Sequence, residues 1–297
     1  VAPRWGVCAT VKAPPDQVAA FAAHHLDLGA SRVWLHFDDP ADPAADAMEG
    51  RARVAVIRCD EAYWQRVAKG RPDKHQVRQM RNVTRVCRRT DLDFVAHFDV
   101  DEFLVADLPV ASALADLPAD RLVLRVEPWE ALHDPDLAGA LAARHFRRAV
   151  PAGDDALCAA LYGRYAPLLP RGMVSHTVGK CFFRSGVAGM VASIHGARIA
   201  GERVFGGAFH PGMALLHFHA NDPVRWKDGL GFRLTRGAYQ FMPALQRHLL
   251  DAGPEGVDAF YDAVQTAHPP LLVALAQAGL LRNHDLALGA CAARFLA

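Results

Sequence analysis

Val95-Ala96-His97-Phe98-Asp99-Val100-Asp101-Glu102-Phe103-Leu104-Val105 decides how this chain is read. An apolar run delivers three carboxylates, Asp99, Asp101 and Glu102, and then turns apolar again. Residues 95–98 include β-branched and aromatic side chains and no breaker, so they read as a buried strand. Carboxylates at the end of such a strand are costly unless a cation meets them. Alternation along an extended chain puts Asp99 and Asp101 on one side and Val100 and Glu102 on the other. Two carboxylates on one side of a strand end suit a hard divalent cation. An acidic, solvated turn is the other reading of the same residues.

Outward from this stretch, strands are expected at 6–12, 31–37, 53–59 and 93–98. A helix opens at Pro14-Pro15-Asp16, with Asp16 as its cap, and ends at Leu28-Gly29. Residues 41–49 form a short helix, 61–72 a loop and 74–90 a long helix. Strands alternating with helices imply parallel βαβ units in an open α/β sheet. In such sheets ligands bind beyond the carboxyl ends of the strands. Those ends carry Thr10 to Lys12, Asp38-Asp39 and Asp99 to Glu102. A helix remnant at 114–119 precedes a fifth strand at 121–126, which ends in Glu127-Pro128-Trp129-Glu130. Residues 131–172 read as loop or a small insertion. Segments 179–184, 187–194 and 214–219 read as shorter, antiparallel strands. From Asp222 the chain is helical, with breaks at Gly253-Pro254 and His268-Pro269-Pro270.

Composition excludes several classes. A formal charge of +1 over 297 residues supplies no global field for nucleic acid, and no aromatic-basic stripe is present. The 52% hydrophobic content supports a sizeable core. Six scattered cysteines without a Cys-x-x-Cys pair read as buried thiols of a reducing compartment. No signal peptide is visible, and no apolar run reaches membrane-spanning length. A cytoplasmic protein, or one peripheral at the inner membrane, is expected. The sequence begins at Val1 and not at Met, which leaves room for an upstream segment.

The order of motifs resembles GT-A-type glycosyltransferases, in particular bacterial glycosyltransferase-2-like proteins with an Asp-x-Asp-Glu-Phe-Leu motif. The resembling pieces are His24-His25 to Gly29, Phe37-Asp38-Asp39-Pro40, Arg78-Gln79 with Asn82, and His97-Phe98-Asp99-Val100-Asp101-Glu102-Phe103-Leu104. Further on come Gly179-Lys180, His195, Leu216-His217-Phe218-His219, Arg233-Leu234 and Arg236-Gly237. Related proteins often carry Asn-Glu after the first strand, where this chain has Lys12-Ala13. The resemblance implies a GT-A-like, mostly parallel sheet with a smaller antiparallel part and a helical C-terminus. It divides the chain into a catalytic domain over 1–240, with a nucleotide-sugar half over 1–130 and an acceptor and metal-completing half over 131–240, and a helical extension over 241–297.

The implied activity moves a sugar from a nucleotide-diphosphate donor, a UDP-sugar by resemblance, to a glycan, lipid or small-molecule acceptor. Mn²⁺ or Mg²⁺ would be held by Asp101, with Asp99 as a further ligand or a ribose contact. His217 and His219 are the late histidines that would complete the coordination, favouring Mn²⁺. Thr10, Lys12, Asp38 and Asp39 would face base and ribose, although an ordinary strand end and an Asx turn into Pro40 fit the same residues. Arg78 and Gln79 on the long helix, Lys180, and Arg233 and Arg236 in a glycine-flexed segment would contact the diphosphate. Arg78, Arg81 and Arg85 share one helix face, which grips phosphate or is simply solvated. Glu127 and Glu130 are the candidate catalytic bases, with Asp154 and Asp155 as another carboxylate pair; stereochemistry stays open. Two other classes fit parts of the pattern. One is a nucleotidyltransferase or phosphohydrolase, disfavoured by the glycine-free Thr10 to Pro15 segment. The other is a non-catalytic carbohydrate-binding protein on a decayed transferase fold.

Overall fold

A computed structural model describes residues 2–297. The chain divides into two compact units. Residues 2–127, 179–215 and 288–297 form the first, and 128–178 and 216–287 the second. These compact units interleave along the chain and do not follow the boundaries expected at 130 and 240. The segment 241–287 is core to the second unit, and only the last ten residues return to the first.

The elements in chain order begin with β1 (Trp5–Val11), α1 (Pro15–Asp27), β2 (Arg32–Phe37), α2 (Pro43–Met48), β3 (Val54–Arg58) and α3 (Glu61–Ala68). Next come α4 (His75–Arg89), β4 (Phe94–His97), β5 (Glu102–Ala106), α5 (Val110–Ala115) and β6 (Val123–Ala131). They continue with β7 (His145–Arg148), α6 (Asp155–Tyr162), β8 (Lys180–Arg184), β9 (Val191–Ser193), β10 (Gly196–Ile199), β11 (Glu202–Val204) and β12 (Phe209–His217). Six helices and a strand close the chain: α7 (Pro223–Asp228), α8 (Leu230–Thr235), α9 (Pro243–Asp251), α10 (Gly253–Gln265), α11 (Pro269–Gln277), β13 (Leu281–Asn283) and α12 (Leu288–Leu296).

In the first unit β4, β1, β2 and β3 lie side by side and parallel. The register pairs Cys8 with Trp34 and with His97, so the strand ends carrying Thr10, Asp38 and Asp99 fall on one edge. β8 runs antiparallel beside β4, and residues 123–126 of β6 run antiparallel beside β8. A separate antiparallel sheet has the order β11-β10-β9. This is the expected α/β architecture, with a mostly parallel sheet, a small antiparallel sheet and C-terminal helices. In the second unit residues 129–131 of β6 pair with β7, and β7 pairs with β13. Its helices enclose a core that includes Trp226, Tyr239, Phe260 and Leu275.

Helix α1 shows how sequence becomes packing. Pro14 and Pro15 set the entry; Val18, Phe21, Ala22 and Leu26 then fall on one face and are buried. Burying each large apolar side chain contributes about 1.5–3 kcal/mol. Asp16 does not cap this helix, contrary to expectation. Pro14 occupies that position, and Asp16 sits in the first turn. The segment 61–72, expected as loop, contains α3. Asp60 caps it by accepting the Tyr63 amide at 2.6 Å, and Lys69 closes it in the left-handed region at φ 58°. Only adjacent Tyr63 and Trp64 are buried there, so no helical spacing of apolar residues announced it. The supposed loop at 131–172 contains β7 and α6. The fifth strand does not end at 126, because β6 continues through Glu130. Among the described residues no helix is long and apolar enough to cross a membrane.

Three histidines of the first unit, His25, His36 and His97, are fully buried. Burial, aided by neighbouring His24, holds His25 well below the usual imidazole range. Burial lowers His36 to about 3 and, together with the Lys180 ammonium, His97 to about 4. The folded unit thus keeps these rings neutral where an unfolded chain takes up protons near about pH 6.5. Their contribution is complete above that value and declines as pH falls below it, by up to about 1.4 kcal/mol per pH unit for each ring. Urea unfolding is expected to shift to lower midpoints between about pH 7 and about pH 5, with proton uptake on unfolding. A midpoint that stays constant over this window would contradict buried, neutral rings.

Candidate functional site

The acidic stretch is a tight turn, not a continued strand. β4 stops at His97, and the Glu102 amide donates to the Asp99 carbonyl at 2.9 Å, closing residues 99–102 into the link between β4 and β5. The simple alternation expected for this stretch therefore fails. Glu102 does not face away. Its carboxylate folds back to accept the Asp99 amide at 2.7 Å and is fully buried.

Lys180 neutralises this turn. Its ammonium group, wholly buried, donates to Asp99 Oδ2 at 2.5 Å and lies 3.2 Å from Glu102 Oε2. Burial by itself would lower the Lys180 pKa, but the two carboxylates outweigh it and raise it above the ordinary lysine value. Burial opposes ionisation of Asp99 likewise; Lys180 and neighbouring His97 overcome it and hold the carboxyl at about 2. Gly179 delivers Lys180. It adopts φ +78°, and a Cβ there would run into the Val126 carbonyl and the Phe209 ring. The carbonyl of Gly179 accepts from His195 Nδ1 at 2.6 Å, so His195 braces the same backbone.

Helix α4 reaches three strand ends with three side chains. Arg78 grips Asp38 at the end of β2 in a two-point fork, with both contacts at 2.7 Å. Its remaining nitrogen donates to the carbonyls of Pro72 and Asp73, which fixes the chain entering the helix. Gln79 donates to Asp99 Oδ1 at 2.6 Å, beyond β4. Asn82 donates to Thr10 Oγ1 on β1 at 2.9 Å and accepts from the Tyr63 hydroxyl at 2.7 Å. Burial pushes the Asp38 carboxyl up, yet Arg78 and Arg71 more than compensate and it is lowered overall.

Beyond the ends of β1, β2 and β3 lies a cavity of about 630 Å³. Lys12, Asp38, Asp39, Cys59, Asp60 and Arg71 are among its lining residues. Asp39 accepts the Ala41 amide at 2.9 Å, the Asx turn that the sequence allowed. Its carboxylate still borders the cavity with the exposed Lys12.

In the second unit, Glu130 is fully buried and fork-bonded to Arg147 at 2.7 and 3.1 Å. Arg147 also donates to the Val264 carbonyl and to Gln265, and the Val174 amide donates to Glu130. Burial is again outweighed, by Arg147 and then His219, so the Glu130 carboxyl lies below its ordinary value. His217 centres a group of three imidazoles, with ring centroids 5.3 Å from His176 and 5.2 Å from His219. A ring nitrogen of His217 lies within 4.8 Å of one on each neighbour. His219 Nε2 stands 3.1 Å from the Tyr239 hydroxyl, which accepts from Trp226. Arg233 donates to the carbonyls of Trp226 and His219, whereas Arg236 is exposed. Asp154 caps α6, its other expected role.

No protein-family model and no curated protein matches this sequence. Solved structures similar to the chain include CMP:2-keto-3-deoxy-manno-octonic acid synthetase complexed with CTP (14% identity, 84% of this chain and 86% of that one, TM-score 0.31). Others are HddC from Yersinia pseudotuberculosis (9%, 73% and 77%, 0.29) and S. aureus TarS residues 1–349 (10%, 93% and 88%, 0.30).

The structure thus ties Asp38, Asp99 and Thr10 to helix α4 in three hydrogen-bonded groups, through Arg78, Gln79 and Asn82, with Lys180 joining the group of Asp99 and Asp101 half-buried in the same turn. Glu127 is half-buried on β6. Sequence reasoning missed His176, which belongs to no motif, and gave no role to His97, which opens the acidic motif and whose ring nitrogens have no hydrogen-bond partner among the described residues. Replacing Lys180 by Met leaves Asp99 and Glu102 without their buried cation. A loss of about 3–5 kcal/mol in chemical denaturation is expected. Glu102→Gln in that background should recover part of it. A loss below about 1 kcal/mol would mean that the carboxylates find another counter-ion.

Proposed function

We propose that this protein is a metal-dependent glycosyltransferase that takes a nucleotide-diphosphate sugar, with UDP-sugar as the first candidate donor. The observation that carries this reading is the convergence, at the carboxyl ends of β1, β2 and β4, of side chains keyed to one helix around an acidic turn. A cavity beyond the ends of β1, β2 and β3 offers room for a nucleoside, with Lys12, Asp38 and Asp39 on its wall.

The donor set fits Mn²⁺ or Mg²⁺. Asp99 already has both oxygens engaged, by Gln79 and Lys180, so Asp101 is the main carboxylate ligand in this proposal, with Asp99 beside it. His217 and His219 keep their sequence-based assignment as imidazole ligands, a mixed oxygen–nitrogen set that suits Mn²⁺. A bound ion would neutralise negative charge developing on the departing diphosphate. Arg233 and Arg236 are assigned to that leaving group. Lys180 is assigned to holding the turn, because its ammonium is already shared by two carboxylates. Glu127 is the stronger candidate base for the acceptor hydroxyl of a glycan, lipid or small molecule. Glu130 is spoken for by Arg147, which keeps it ionised and buried.

Calorimetry on purified protein is expected to show UDP binding that depends on Mn²⁺. Asp101→Ala should weaken it at least about tenfold, roughly 1.4 kcal/mol, while any metal-independent part persists. If no nucleoside diphosphate binds in a metal-dependent way, the proposal fails. A hydrolysis screen over nucleotide sugars then identifies the donor.

A further inference from the structure

A second cavity, of about 330 Å³, lies on the β2–β3 face of the first unit. Its floor follows from register. Trp34 pairs with Ala55, and His36 with Ile57, so one face of two parallel strands presents an indole, an imidazole and a branched chain beside a small residue. Tyr63 from α3 adds another ring. Helix α4 packs over β1 and β4, leaving this face between α3 and α4.

The rim is cationic. Arg32 from β2, Arg66 from α3, and Arg85 and Arg89 from α4 all line the cavity. Arg85 lies over the Tyr63 ring at 6.0 Å. The side chains of Arg32, Arg66 and Arg89 form no hydrogen bond and no ion pair among the described residues. The one carboxylate on the rim, Asp91, is engaged by Arg4 at 3.0 Å. A chain with a formal charge of +1 has thus gathered four guanidinium groups, from three elements, around one hollow. Guanidinium forks match phosphate oxygens and stack on flat rings. The volume falls within the roughly 300–1,000 Å³ of small-molecule pockets.

We propose that this cavity is a second ligand site, separate from the strand-end site, for a small phosphorylated ligand carrying a flat ring, of the nucleoside monophosphate class. The rings and Ile57 on the floor take the flat part, and the arginines take the phosphate. Neither requires a metal, and the site does not rest on the glycosyltransferase reading.

The test titrates AMP into the full chain in the presence of EDTA, read by calorimetry and tryptophan fluorescence. Adenosine and inorganic pyrophosphate form separate arms. Saturable AMP binding is expected, weakened tenfold or more in Arg89→Ala and in Arg66→Ala, two exposed positions whose truncation leaves the core intact. Arg85→Ala should act in the same direction, and Asp101→Ala should leave AMP binding in place. Absence of saturable binding overturns the site, as does equal binding by the arginine variants. AMP binding lost only in Asp101→Ala assigns the nucleotide to the strand ends instead. Pyrophosphate binding as tight as AMP removes the flat ring from the proposal.

Discussion

A buried ammonium group holds the acidic turn together. Three carboxylates within residues 99–102, at the end of a buried strand, repel one another and lose hydration. Lys180 meets two of them from β8, the antiparallel neighbour of β4. The pairing register sets Cys181 opposite His97, so Lys180 arrives one residue further along, at the level of the turn. Asp99 and Glu102 are thus tied to Lys180, with Asp101 half-buried beside them in the same turn.

Helix α4 supplies the second constraint. Positions 78, 79 and 82 are spaced one, three and four residues apart and so form one patch on the face of α4, from which their side chains fan out to three strand ends. Arg78 goes to β2, Gln79 to the turn after β4, and Asn82 to β1. Strand spacing and helix geometry are thereby fixed to each other. The Asp38 carboxylate shapes the cavity wall while being held by two arginines. A change at any of these helix positions acts on the site by moving a strand end, and need not touch a ligand.

Local chemistry made the parallel strands and the long helix legible. Val-, Ile- and Phe-rich runs bounded by Pro, Gly and Asp correspond to β1 to β4, each within a residue or so. Parallel βαβ topology by itself puts the acidic strand ends on one edge. Elements without a local signature were missed. Helix α3 carries two adjacent aromatics instead of a stripe, and β6 runs through Pro128. Interleaving of the units is a long-range property that no window of sequence reports. At the site, the residue types were legible and their partners were not. Lys180 read as a phosphate contact because nothing in Gly179-Lys180 says that its cation is used 81 positions back in the chain. Glu130 read as a candidate base because its partner Arg147 lies in a strand expected as loop.

The His24-His25 pair, weak as a motif, has a physical role in holding the opposite side of the turn. His24 Nε2 donates to the Leu104 carbonyl at 2.6 Å, while the Leu104 amide reaches His25 Nε2 at 3.4 Å. His25 Nδ1 donates to the Phe21 carbonyl, which leaves Nε2 as the acceptor and requires a neutral ring. Gln17, two turns before His24 and on the same face of α1, donates to the Val100 carbonyl inside the turn at 3.3 Å. Helix α1 therefore grips both the turn and the strand that leaves it. Helix α12 packs on α1, with Arg294 bonded to Asp27 at 2.7 Å. The last ten residues of the chain thus brace the helix that braces the acidic turn. The chain's final helix accordingly belongs to the unit that carries the strand-end carboxylates, while the residues just before it, up to 287, belong to the second unit.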